Sequence, residues 1–187
     1  MHMPTLKRRW TADDLRDLPD DGNRYEVIDG ELFVTPAPSW MHQRAAAELF
    51  RMIAAYLERE PYADVLLAPA DVSFSRTRIV QPDVFVVPLV DGRRPRKFEE
   101  VGRLLLAVEI LSPSTARADR VAKRVLFRDE GVREYWVIDL DARTIERTTP
   151  ADARVDIIVD RLDWTVDGAS APMVVDVPEY FARVLDG

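Results

Sequence analysis

The chain has 187 residues, enough for one sizeable core and not clearly enough for two. Hydrophobic residues make up 47% and charged residues 32%, a globular mixture. The net charge of -7 excludes nucleic-acid binding by bulk attraction alone. The absence of cysteine excludes disulfides, thiolate zinc sites and cysteine nucleophiles, and two histidines exclude a histidine-rich centre, so any metal would be held by oxygen ligands.

Thr11 followed by Asp14 reads as a capping box opening a short helix that Pro19 ends. In "RYEVIDGELFVTPAP" two alternating runs, Tyr25 to Ile28 and Leu32 to Val34, flank Asp29-Gly30 and predict a hairpin. Ser39 to about Glu60 reads as a long helix, with Ala45, Leu49, Met52, Ile53 and Tyr56 recurring at three and four until Pro61 stops it. Strands follow at Val65 to Ala68, Asp71 to Ser75 and Ile79 to Val87. After the basic, turn-rich loop 91–97 comes a buried strand, Leu104 to Leu111. A helix over 116–130, closed by Gly131, leads to the strand Tyr135 to Ile138. Residues 143–166 alternate like hairpin strands, and a short helix spans 178–185. This is an α/β order with a mixed sheet, in which the strands at 104 and 135 lie parallel across a helix. Ligands in such sheets gather beyond the carboxyl ends of the strands.

"LLLAVEILSPST" therefore poses a question. Glu109 interrupts an apolar strand just before Ser-Pro-Ser ends it. A carboxylate in such a place is costly unless paired or bound to a cation. Asp83, in "IVQPDVFVV", is a second one, and Pro82 before it cannot donate to a sheet ladder. Two such carboxylates repel each other; a divalent metal between them removes the conflict and can support attack on phosphate. On the helix after Glu109, Asp119, Ala122, Lys123 and Leu126 share a side, so Lys123 can lean toward the strand end. Arg117, Arg120, Arg124 and Arg128 form a separate stripe able to touch a nucleic-acid backbone. Ser112, Ser114 and Thr115 lack a neighbouring histidine or a G-x-S-x-G elbow and read as helix caps. His42, at the start of the long helix, reads as a surface or capping residue with a base or ligand role as the alternative.

"QPDVFVV", "AVEILSPST", "RADRVAKR" and "GVREYWVID", in that order, resemble the Uma-type family of restriction-endonuclease-like proteins. "YEVIDGELFVTPAPSWMHQR" is similar to its N-terminal segment. The likeness runs from about Tyr25 to Asp139. The family belongs to the PD-(D/E)xK nuclease superfamily. The resemblance implies a single restriction-endonuclease-like domain over 1–187, a mixed β-sheet flanked by helices, with an N-terminal hairpin and C-terminal antiparallel strands. It implies a Mg2+-dependent endonuclease (Mn2+ as the alternative ion) acting on nucleic acid, DNA first. Asp83 matches the aspartate of the motif and Glu109 its second acidic residue, which makes both metal ligands. Position 111, where the motif lysine belongs, is Leu111. The resemblance places that lysine on the following helix, at Lys123. Glu48 is the match for a further acidic ligand on the first core helix, and Arg117, Arg120 and Arg124 are the expected nucleic-acid contacts. A homodimer fits a superfamily in which two active sites cut two strands. The alternative is a catalytically inactive binding or scaffold module on the same fold, and a third reading is a small-molecule hydrolase using the same metal. No apolar run approaches the roughly 20 residues of a membrane span. "MHMPTLKRRW" lacks the apolar core of a leader. With no cysteine, the expectation is a cytoplasmic protein without a membrane partner.

Overall fold

A computed structural model describes residues 8–186. Most of the N-terminal stretch on which the no-leader reading rests lies outside the described residues. Helix α1 (Ala12–Leu15) begins with the expected capping box, the Thr11 N–H and hydroxyl both donating to Asp14 Oδ2 at 2.9 and 2.7 Å. The hairpin of β1 (Arg24–Ile28) and β2 (Glu31–Thr35) turns at Asp29 and Gly30, whose φ values of 52° and 85° are those of the turn that matches strand twist. Helix α2 (Trp40–Arg59) starts at Ser39, whose Oγ accepts from the His42 N–H at 3.2 Å, and buries Ala45, Leu49, Ile53 and Tyr56.

Strands β3 (Ala63–Leu67) and β4 (Val72–Ser75) follow as expected. The expected strand Ile79 to Val87 is instead two strands, β5 (Arg78–Val80) and β6 (Val84–Pro88), in different sheets. The cause lies in Gln81-Pro82-Asp83. Pro82 has no N–H, and the Gln81 N–H donates to the Glu26 side chain at 2.7 Å rather than to a neighbouring strand. Strand β7 (Leu106–Ile110) leads through a π-helical stretch, Ala118–Lys123, into α3 (Arg124–Asp129) and then β8 (Glu134–Asp139), which pairs parallel to β7. The chain closes with β9 (Thr144–Thr148), β10 (Asp156–Ile158), β11 (Arg161–Trp164), β12 (Met173–Asp176) and α4 (Val177–Leu185). Strand β12, absent from the sequence reading, pairs antiparallel with β11.

Among the described residues the strands form three sheets. A mixed sheet runs β10-β9-β8-β7-β6-β3, an antiparallel one runs β2-β1-β5-β4, and β11 pairs with β12. Alternation along β7 divides the core. Leu106, Val108 and Ile110 join a cluster with residues of α2, α4, β11 and β12. Ala107, one step out of phase, joins a cluster with Ile28 and Val80 of the smaller sheet, Leu126 and Phe127 of α3, and Tyr135 of β8. Glu109 is in phase with Ala107 and so points into the second layer. The Phe127 ring lies 6.3 Å from Phe74 of β4 and 4.8 Å from Tyr135, so α3 is wedged between the smaller sheet and the main one. No described helix is long and apolar enough to cross a membrane.

Candidate active site

Glu109 is 2% exposed, and its carboxylate meets Lys123, whose Nζ donates to Glu109 Oε1 at 2.9 Å. The same ammonium lies 2.9 Å from Glu26 Oε2 and 3.5 Å from Asp119 Oδ1. Each partner is fixed from behind. Glu26 Oε1 accepts the Gln81 N–H, and the Tyr135 hydroxyl donates to the Asp119 backbone carbonyl at 3.0 Å. Asp119 Oδ1 is buried and accepts no hydrogen bond.

Asp83 stands at the head of β6, 4% exposed. Its Oδ2 accepts from the Ile110 N–H at 2.8 Å, which ties it to the residue directly after Glu109. Arg24 Nη1 donates to Oδ1 at 2.7 Å, and His42 Nε2 lies 3.0 Å from Oδ2. Four buried carboxylates, from Glu26, Asp83, Glu109 and Asp119, thus face Lys123, Arg24 and His42. The carboxylates outnumber the cationic groups, so ionising all four at once is opposed by their mutual repulsion.

The two carboxylates of the strand ends are pushed apart in acidity. Burial works to raise Asp83, but the hydrogen bond and charge of His42, the charge of Arg24 and the Ile110 N–H outweigh it and hold its pKa at about 2. Glu109 goes the other way. Burial raises it well above the carboxylate range against the pull of Lys123, and the charges of Asp83, Asp119 and Glu26 add to the rise. Asp119 is raised too, chiefly by burial. Burial works to lower Lys123, but Glu109, Glu26 and Asp119 overcome it, so the lysine stays charged.

A cleft of about 600 Å3 opens beyond the strand ends, lined by Arg24, Ser39, His42, Ser112, Arg120 and Asp139 among others. Arg24 and His42 also line a smaller recess, of about 200 Å3, that reaches Asp83. These two side chains therefore stand between the larger cleft and the buried carboxylate.

A family model described as "Uma2: Putative restriction endonuclease" matches residues 12–172. The chain belongs to the Uma2 family. Among solved structures it is similar to the crystal structure of "a putative nuclease belonging to DUF820" from Anabaena variabilis, with 21% identity and a TM-score of 0.74 over 94% of this chain and 99% of that one. At that identity the likeness establishes the fold, a restriction-endonuclease-like mixed sheet flanked by helices. No curated protein matches the chain.

In this Uma2 chain the structure brings Asp83, Glu109 and Lys123 together. The Glu48 carboxylate pairs with Arg51 and with Arg183 of α4, whereas Asp83 pairs with Arg24 and His42, and Glu109 with Lys123. Of the arginine stripe, Arg117 is exposed, whereas Arg120 pairs with Asp139 and Glu146, and Arg124 with Glu146. Among the described residues no group of three or more His, Asp or Glu side chains stands in metal-holding geometry. The sequence reading missed Glu26 and Arg24. Glu26 is in phase with the buried Ile28 along β1, and that phase was the available signal. It also treated Asp119 only as a neighbour of Lys123, and gave His42 mainly a surface role, although His42 is buried against Asp83.

Proposed function

We propose that this chain is a divalent-metal-dependent endonuclease that hydrolyses phosphodiester bonds of nucleic acid, DNA first, through Asp83, Glu109 and Lys123. One observation carries the reading. An ammonium delivered from the helical segment after β7 lies 2.9 Å from Glu109, beside the backbone N–H that holds Asp83. On this reading Lys123 takes the part of the lysine missing at Leu111.

The chemistry of the donors supports the metal. The carboxylate oxygens of Asp83 and Glu109 are of the hard kind that magnesium or manganese takes. Asp83 and Glu109 would hold it. When bound it would polarise the scissile phosphate and ease deprotonation of the attacking water. The protein's own groups account for the rest. Lys123, kept charged by its carboxylates, would neutralise charge developing on the phosphate oxygens. Arg24 and His42, at the inner wall of the cleft, would turn from Asp83 to the incoming phosphate. The depth of the carboxylates would exclude bulk water. A homodimer would present two such clefts to two strands, which sedimentation velocity reads directly.

The test is calorimetric titration of magnesium and manganese into wild type, Asp83→Ala and Glu109→Ala, followed by cleavage of plasmid DNA and of RNA with Lys123→Ala as control. Binding abolished by either carboxylate substitution, with cleavage lost in all three variants, is the expected result. Absence of metal binding with and without added DNA would sink the proposal. A second reading has its own support: Asp83 is already saturated by Arg24, His42 and Ile110, as in a purely structural ion-pair network. That reading makes the chain a non-catalytic module, and it predicts nucleic-acid binding with no dependence on metal.

A further inference from the structure

Lys123 carries one positive charge among three carboxylates. Its three N–H donors meet Glu109 and Glu26 at 2.9 Å each and approach Asp119 at 3.5 Å. The third contact is unfinished. Asp119 is 1% exposed, its Oδ1 accepts no hydrogen bond, and that oxygen faces the ammonium. A carboxylate oxygen buried without a donor is costly, and a small displacement of Nζ away from Glu109 would satisfy it. Glu26 is equally prepared, because the Gln81 N–H already fixes its other oxygen. The lysine stem is long and flexible, so its head can move while α3 stays wedged by Leu126 and Phe127.

We propose that Lys123 is a placeholder: its ammonium balances Glu109 until a divalent cation takes that carboxylate, and Glu26 and Asp119 then hold the lysine beside the reacting phosphate. The inference rests on the nuclease reading and deepens it. Glu26 and Asp119 become positioning residues that act through Lys123 and never touch the metal. The cost of bringing an ammonium and a divalent cation to one carboxylate is avoided because the ammonium has a second berth.

A double-mutant cycle on magnesium affinity tests this by calorimetry, using wild type, Lys123→Met, Glu26→Gln and the double variant. A placeholder competes with the cation, so Lys123→Met is expected to tighten magnesium binding about tenfold. Glu26→Gln is expected to weaken it about fivefold in wild type, because the lysine then stays on Glu109, and to leave it nearly unchanged in the Lys123→Met background. Equal weakening in both backgrounds would mean that Glu26 acts on the cation directly, and would overturn the inference. So would a Lys123→Met variant that binds no tighter. If Lys123→Met does not fold, side-chain NMR of wild type puts the same question. The Lys123 ammonium resonance is expected to move along the magnesium binding curve, and in Glu26→Gln to move only at about fivefold higher magnesium; a wild-type resonance that never moves overturns the proposal. The nuclease reading is judged separately in the same titrations. Magnesium binding that is lost in Asp83→Ala leaves it standing even when the cycle fails, whereas a wild type that binds no magnesium removes both.

Discussion

Glu109 holds its proton more tightly in the folded chain than an ordinary carboxylate does, so over the window above the usual carboxylate range the native state binds more protons than the unfolded one. Stability therefore falls as pH rises through that window. Without metal, Glu109→Gln is expected to raise stability at pH 8 by about 1 kcal/mol, read by urea unfolding, while abolishing the proposed metal affinity. Unchanged stability would mean that Lys123 alone compensates the charge. Asp83 has the opposite sign. Its folded pKa of about 2 lies below the ordinary 3.8, so its contribution is fully present above pH 3.8 and is lost as pH falls through about 2. Asp83→Asn should flatten that acid limb. Asp83 and Glu109 could be picked out from sequence because each interrupts an apolar run. Glu26 offered only its phase with Ile28, because in an alternating strand a carboxylate looks like an exposed position until the second sheet is known to cover it.

At the scale of elements, the hairpin, α2 and the parallel pair flanking α3 were readable because local signals define them: Asp29-Gly30, the Ser39 cap, Pro61 and Gly131. The split at Gln81-Pro82-Asp83 was not, since Ile79 to Val87 is continuously apolar on either side and only the pairing of β5 with β1 and of β6 with β7 tells the halves apart. Strand β12 was missed for a similar reason, as its partner makes it a strand. Position 123 depends on α3, and α3 depends on Phe127, which is fully buried between Phe74 and Tyr135. Phe127→Ala is expected to cost about 3–5 kcal/mol in chemical denaturation. It should also loosen the Lys123 to Glu109 contact, so that the NMR resonance of the lysine head broadens. A loss below about 1 kcal/mol would show that α3 is held by other means.

Across the whole molecule, the net charge of -7 and the pairing of Arg120 and Arg124 with Glu146 leave little of the basic stripe that the sequence offered to a phosphate backbone. The stripe was legible, but its neutralisation by a carboxylate on β9, more than 20 residues away, was not. If nucleic acid approaches along this side, Glu146→Gln releases Arg124 and loosens Arg120, which Asp139 still holds. Duplex affinity should then rise and its salt dependence should steepen by about one to two phosphate contacts, measured by anisotropy across a salt series. An unchanged slope would show that this side takes no part in binding.

Gln81-Pro82-Asp83 carries the chain from the smaller sheet to the larger, and this has a consequence in time. Asp83 is bonded to Arg24, 59 residues before it, and to Ile110, 27 residues after it, while Glu26 reaches Gln81 across 55. The Arg24 to Asp83 bond, which joins β1 to the head of β6, cannot close until both sheets exist, and each of the three bonds closes a long loop. The carboxylate cluster is therefore expected to assemble after the sheets and to open before them. The amides of Gln81 and Ile110, bonded to carboxylates beside that junction rather than to strand carbonyls, should exchange with deuterium faster than those of Val86 and Val108 in the strand centres. The chemistry would then be the first property lost on warming, while the scaffold around it still reads as folded.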